Sequence, residues 1–406
     1  MKLAICHALV LAPLALSMGD PLVEWAQLVE SQAFDWDVSL LESSYDMDDM
    51  FERAREGRVT TDSYADELRE GLESRGDPFD ELKYMLEELD GTFMFLEKTA
   101  SDRVLFRSEG DDGLDYVEFV LEKDGDAIII VDSLNWSIGE STSAVLGRLL
   151  GPPKLEGEAN TREARREELK RWRVRNEILL RFMGDDLEEA FKAFEALPDD
   201  VAQEPFVMLS RTMAAATLEE DEPYFEAMEA LMEVHPDEVF TLLARYDYHA
   251  YREQPKEMLE VLDALEEEVD DPFLDLLRAD AHEVAGDYEK MLLAIEAAIG
   301  EDERLDYQTY WRFLALGVGT EDWDFVVEVL IYFELAYGLE WGDLTQEGMN
   351  EYYAEFRKTE AYQRWLDRDE EGNLPDEEGA PQRSANSRCS SSVTPRLPGV
   401  SKVRPR

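Results

Sequence analysis

The sequence predicts a mainly α-helical protein in two parts. An N-terminal α+β module, with helices plus an antiparallel four-stranded sheet, precedes an α-α helical-repeat solenoid. Three observations carry this. Helical periodicity runs through residues 20–90, as in DMDDMFERA (48–54 at its core) and YADELREGL (64–72). After Gly91 the runs FMFLEK, DRVLFRS, LDYVEFVLEK and DAIIIVDSL are short, apolar or alternating, and separated by Ser-Asp, Gly-Asp-Asp-Gly and Lys-Asp-Gly-Asp. That is the pattern of strands joined by hairpin turns. From Trp172 onward, aromatic residues return every 33 or 34 positions, at Phe206, Phe240, Phe273 and Tyr307.

The elements follow in chain order. Residues 1–19 carry one lysine, an apolar stretch from Leu3 to Leu16, and then Ser17 and Gly19, which is the shape of a signal peptide. This predicts a secreted or periplasmic protein, with an apolar first helix of a cytoplasmic protein as the alternative. No later segment reaches 18 apolar residues, so no integral membrane segment is expected once the signal is removed. Residues 20–155 form the α+β module. Its last helix starts near Ser141 or Thr142, either of which can serve as N-cap, and stops at Gly151-Pro152-Pro153. The polar stretch to about Asn160 reads as a linker. Residues 161–345 are the repeats and 346–367 a capping helix. Residues 368–406 are an acidic linker and a basic, Ser- and Pro-rich tail that is disordered by composition. The helices followed by a sheet are similar, as an analogy of fold alone, to the NTF2-like superfamily.

The repeat is more than a column of aromatics. Eighteen residues after each stand Ala190, Tyr224, Met258, Met291 and Phe325. Phe194, Met228, Leu262, Ile295 and Val329 follow four residues later, and then Leu197, Leu231, Leu265, Ala298 and Tyr332. Four nearly apolar columns over five units, in a chain with 33% charged residues, mark a two-helix unit. One such hairpin cannot bury its apolar faces, whereas stacked neighbours can. The 34-residue two-helix unit resembles the tetratricopeptide repeat (TPR) family. The unit from Phe273 carries Ala279, the turn Gly286-Asp287-Tyr288, Ile295 and Ala298 where that family places small, turn, large and small residues, and Pro236 matches its closing proline. Gly286 has no glycine counterpart in the other turns, and leucine replaces the small residue at 197, 231 and 265. The joining of an α+β module to divergent repeats also resembles exported bacterial TPR-containing proteins. The resemblance implies binding of a peptide or protein segment along a groove.

Charge narrows the partners. The chain holds 95 acidic against 40 basic residues, a net of −55. Such a surface repels nucleic-acid phosphates and anionic lipid, so no nucleic acid is expected, while cations and basic proteins are attracted. With 11 lysines and 29 arginines the acidity fits either salt adaptation or a GC-rich source. Only Cys6 and Cys389 are present, one in the signal and one in the tail, which leaves no thiol chemistry or cysteine-bound zinc for the body.

Within the repeats a second column recurs. Arg211, Arg245, Arg278 and Arg312 each lie five residues after the repeat aromatic, and Glu177 breaks the column in the first unit. Stacked helices would bring these guanidinium groups roughly 10 Å apart. They are the partner-binding candidates, suited to forked pairing with a carboxylate-rich peptide. The alternative is an internal ion-pair ladder with the acids of the next unit. A second candidate is the run 367–378, in which Asp367, Asp369, Glu371 and Glu378 surround Gly372 with calcium-loop spacing. Glu371, Pro375 and the lack of a following helix depart from that pattern, so calcium competes with a solvated acidic linker and no other cofactor is expected. His249 and His282 share a column and read as packed or surface histidines before a metal pair. In the module Asp115, Tyr116, Asp132, Asn135 and Trp136 can meet at one sheet mouth. The module has no histidine or cysteine, and the chain has no phosphate loop or nucleophile elbow. The expectation is therefore a non-enzymatic interaction and scaffold protein. The alternative is a small-ligand or catalytic site in the module, with the repeats as scaffold.

Overall fold

The computed structural model describes residues 20–74, 79–88, 91–110, 113–157, 160–182, 187–194, 197–218, 221–339, 341, 353–368, 372 and 374. The expected signal, and all of the tail beyond Leu374, lie outside the described residues. The chain divides into two compact units between Ala244 and Arg245. Among the described residues no helix is long and apolar enough to cross a membrane.

The first unit opens on five helices: α1 (Pro21–Phe34), α2 (Ser39–Ser44), α3 (Met47–Arg55), α4 (Asp62–Glu73) and α5 (Asp80–Glu88). The starts of α1, α3 and α4 are set by side-chain caps. Asp20 accepts from the Leu22 amide at 3.0 Å, with Pro21 at the first helical position, Asp46 accepts from Asp49 at 2.9 Å, and Thr61 caps α4 through Tyr64. Strands β1 (Thr92–Ala100), β2 (Arg103–Gly110), β3 (Gly113–Asp124), β4 (Ala127–Asn135) and β5 (Glu140–Ser141) follow as an antiparallel meander in sequence order. The sheet therefore has five strands, not four. The fifth is a two-residue pairing of Glu140 and Ser141 with Asn135 and Leu134, too short to show an alternating pattern.

Alternation sends Phe93, Phe106 and Phe119 to the face covered by α1. Phe93 and Phe106 stack at 4.7 Å there, and Trp25 meets Phe106 and Phe119 edge-on. On the opposite face Met94, Arg107, Tyr116 and Glu118 are also buried. Ser141 caps α6 (Thr142–Leu150), accepting from the Ala144 amide at 3.2 Å. The helix packs on α3 through Leu146, Leu149 and Leu150 against Met50, Phe51 and Ala54. A side chain at Gly147 would stand 2.9 Å from the Ala54 carbonyl, so glycine is what lets α3 and α6 approach. The expected linker is partly tied down: the Val59 amide bonds the Pro152 carbonyl at 2.9 Å and the Lys154 amide bonds the Gly57 carbonyl at 2.7 Å.

The helices α7 (Arg162–Phe182), α8 (Leu187–Phe194), α9 (Asp199–Ala202), α10 (Pro205–Ala216) and α11 (Asp221–Val234) complete this unit, and α12 (Val239–Tyr251) spans the division. Helix α7 starts at Arg162, well before Trp172, so the first repeat helix is longer than its aromatic implies. In the second unit come α13 (Pro255–Glu266), α14 (Phe273–Val284), α15 (Tyr288–Glu301), α16 (Tyr310–Gly319), α17 (Trp323–Tyr337) and α18 (Glu360–Leu366). Consecutive helices pack on one another, and α14, α15, α16 and α17 share a core of Ala279, Met291, Ile295, Phe313, Phe325 and Phe333.

The turns between paired helices are the same backbone device three times over. Glu253, Gly286 and Glu321 sit at φ of 52°, 70° and 54°, each donating its amide to the residue three before. The next residue in each case bonds the carbonyl five before: Gln254 to His249, Asp287 to His282, and Asp322 to Gly317. Gly286 is thus alone in residue type and not in conformation. The expected capping helix over 346–367 is corrected in part. Its first residues lie outside the described set, and the rest is a 3₁₀ turn (Phe356–Lys358) followed by α18. Thr359 breaks the two, extended at ψ 158° with its hydroxyl accepting from the Tyr362 amide. Phe356, Tyr362 and Trp365 are buried against the core of α16 and α17.

Candidate functional site in the arginine column

The four column arginines meet different fates. Arg312, on α16, is 2% exposed. Its Nε and Nη2 clasp the two oxygens of Asp280 at 2.7 and 2.8 Å, Nε also donates to the Leu276 carbonyl, and Nη1 donates to the Gln308 carbonyl. The guanidinium lies over Trp311 at 4.2 Å. Burial pushes the Asp280 carboxyl above its usual range, with Arg312 opposing the shift. Arg312 is therefore removed from the set a ligand can reach, because its donors are committed and solvent does not touch it. Arg278, on α14, is also internally engaged. It donates to Asp275 at 2.8 Å and Glu266 at 2.6 Å, with Asp263 at 3.5 Å.

Arg211 on α10 and Arg245 on α12 differ from these. Both are half-buried, and neither has a hydrogen bond or ion pair among the described residues. In each the Nε is buried without a partner. Arg211 rests over the Phe191 ring at 5.8 Å, and Arg245 acts on Glu260 only through its field. A guanidinium carries five donors in a planar fork. These two side chains hold that fork unspent.

The acid that settles Arg312 lay in plain sight in Arg278-Ala-Asp280, whereas Arg278 is settled by Asp275 and Glu266. Pairing was expected with the acids of the next unit, whereas Arg312 reaches back to the preceding helix pair.

The other candidates separate in the same way. Asp115, Asn135, Tyr116 and Trp136 do come together. Asp115 accepts from the Tyr116 and Ser137 amides at 2.8 and 2.9 Å, Asn135 accepts from the Ile138 amide, and the Tyr116 and Trp136 rings lie 5.0 Å apart. Burial pushes the Asp115 carboxyl up, and these hydrogen bonds counter it. Its oxygens fasten the turn after β4. Asp132 stands elsewhere, accepting from the Ser143 amide and hydroxyl at 3.0 and 2.5 Å in the first turn of α6. His249 is buried with Nδ1 2.8 Å from Gln254 Oε1, and burial lowers the pKa of His282. Among the described residues no three His, Cys, Asp or Glu side chains gather as a metal site. Asp367 is the exposed residue that closes α18, while Asp369, Glu371 and Glu378 lie outside the described residues.

Comparison with protein-family models, curated proteins and solved structures gave no match for this chain. Function is therefore argued from the site.

Proposed function

We propose that this is a non-enzymatic interaction protein. Its helix pairs stack as a TPR-like solenoid, and a carboxylate of an acidic peptide or protein segment docks at Arg211 in the first unit or at Arg245 in the second, each arginine acting within its own unit. The recurrence of one turn geometry at Glu253, Gly286 and Glu321 supports a repeated unit. The observation that carries the ligand chemistry is the pair of half-buried arginines with unspent donors, beside two column-mates whose donors are engaged. A forked guanidinium on a helix discriminates a carboxylate from a neutral group.

The test is a fluorescence-anisotropy titration of the full chain with labelled peptides rich in Asp and Glu. Arg211→Ala and Arg245→Ala should each weaken binding by about tenfold, the worth of a charge-assisted hydrogen bond. Arg278→Ala should leave it within about twofold. Equal affinity in all four proteins, or no binding by the unaltered chain, would defeat the reading.

A further inference from the structure

One guanidinium of the first unit is placed against its own electrostatics. Arg58 follows the turn at Gly57, and its segment pairs with Pro153 in an isolated antiparallel bridge. The side chain lies against α6, where a methyl group at Gly147 would stand 3.0 Å from its Nε and 3.3 Å from one terminal nitrogen. Its electrostatic neighbours are the carboxylates of Glu140 and Glu168 and two further arginines, Arg148 and Arg175. Both of these are matched. Arg148 is paired with Glu140 and lies over the Phe206 ring at 5.3 Å, and Arg175 binds Glu204 at 2.6 Å. Glu168, the other carboxylate in the field, faces Arg171 at 4.0 Å.

The Arg58 guanidinium has no hydrogen bond or ion pair among the described residues, although the residue is half-buried. Burial lowers its pKa and the fields of Arg148 and Arg175 lower it further, with those of Glu140 and Glu168 opposing the shift. A half-buried guanidinium with no ion-pair partner of its own carries a cost that a bound anion reduces.

The surroundings fit such an anion. Arg58 lines an open groove of about 630 Å³ together with Arg53, Arg55, Lys154, Glu52 and Glu56. Arg53 and Arg55 are spent on Asp49 and Asp62 at 2.8 and 2.5 Å. The Lys154 ammonium, like Arg58, has no partner among the described residues. Its backbone is tied to Gly57 beside Arg58. With Arg55 also meeting Glu52 and Arg53 also meeting Glu122, the groove's cations that no acid pairs among the described residues are Arg58 and Lys154, on a chain whose net charge is −55. At physiological ionic strength the Debye length is about 8 Å, so the distant acidic surface is screened while these adjacent charges are not.

We propose that Arg58, with Lys154 beside it, forms an oxyanion-binding site that takes a phosphate group or a carboxylate in the fork of its guanidinium. The site lies apart from the arginine column and does not depend on peptide binding there.

Calorimetric titration and thermal melts of the full chain test it, with inorganic phosphate in one arm, succinate in the other, and sodium chloride matched for ionic strength as reference. Phosphate alone raising Tm assigns the site to phosphate-bearing ligands, and succinate alone assigns it to carboxylates. Arg58→Met should weaken the effective anion by at least about tenfold, and Arg58→Lys should fall between, keeping charge without the fork. The Met variant should also melt no lower than the unaltered chain when no anion is added, because it removes a charge that nothing matches. A Tm response of the same size in Arg58→Met, or no response to either anion beyond the salt reference, would overturn the proposal. So would an Arg58→Met protein that melts lower without anion, since that marks Arg58 as a structural contact.

Discussion

The α14–α16 region and the α3–α6 junction each gather arginines among carboxylates, and they resolve the charge in opposite ways. In the first, Arg312 is almost wholly out of solvent, yet Nε and Nη2 of its guanidinium meet Asp280, Nε also meets the Leu276 carbonyl, and Nη1 meets the Gln308 carbonyl. In the second, Arg148 and Arg175 are matched by Glu140 and Glu204, while the guanidinium of Arg58, a residue less buried than Arg312, has no hydrogen bond or ion pair among the described residues. Depth of burial therefore does not separate a structural arginine from one available to a ligand. What separates them is whether the guanidinium nitrogens have met acceptors within the protein. The same criterion divides the column, with Arg278 and Arg312 on one side and Arg211 and Arg245 on the other.

The largest effect should come from breaking the matched member. Arg312→Met leaves Asp280 buried without its partner and strips the Leu276 and Gln308 carbonyls of a donor. Removing one side of a buried ion pair costs about 3–5 kcal/mol, and urea unfolding should show a loss of that size. The double variant Arg312→Met/Asp280→Leu should recover a large part of it, because the orphaned carboxylate is gone. A loss below about 1 kcal/mol in the single variant would place Arg312 with the exposed pairs and erase the contrast.

A second contrast lies inside the regular region, where backbone strain replaces charge. Glu253 and Glu321 hold the left-handed conformation that Gly286 holds without a side chain. A non-glycine residue there costs about 1–2 kcal/mol, offset in part by the greater freedom glycine brings to the unfolded chain. Glu253→Gly and Glu321→Gly should each raise the unfolding free energy by about 0.5–1 kcal/mol, and Gly286→Ala should lower it by about 1 kcal/mol. If all three substitutions were destabilising, the shared turn would not be the governing feature at these positions.

These turns also show what the sequence could and could not reveal. The strands β1 to β4 were legible because alternation and Gly-Asp turns mark them, and the Ser141 cap of α6 was legible from its residue type. Strand β5 was not, since two residues have no period. The recurrence of helix pairs was legible from the aromatic column, but the common turn was hidden because glutamate at 253 and 321 lacks the glycine signature. The capping segment read as one helix because its apolar spacing continues through Thr359, whose extended backbone interrupts it. For the site, the period located the arginine column. Which members are spent depends on acids such as Asp280 and Glu266 that reach them from a preceding helix, and a chain dense in carboxylates gives no sign of which one will. The group of Arg58, Arg148 and Arg175 was beyond reach, being drawn from three elements far apart in sequence.

The smallest expected effect concerns an exception within the matched region. Asp247 occupies the position on α12 that Asp280 occupies on α14. Its counterpart partner would be Arg278, but that guanidinium is taken by Asp275 and Glu266. Asp247 has no hydrogen bond or ion pair among the described residues, and although the side chain keeps contact with solvent, desolvation pushes its carboxyl up to about 6 from an ordinary 3.8. The sign follows from the raised value. Below about pH 4 both folded and unfolded chains hold the proton, and its contribution to stability is complete. Between about pH 4 and pH 6 the unfolded chain releases the proton while the folded chain retains it, so stability falls as pH rises and levels off above pH 6. Asp247→Asn should remove this part of the slope and leave that of Asp280 in place, so the difference between the two proteins isolates Asp247. Solvent contact limits that difference to under about 1 kcal/mol. Parallel stability curves for the two proteins from pH 4 to pH 7 would mean that Asp247 is matched after all, and the ladder of paired charges would then extend one unit further toward the N-terminus.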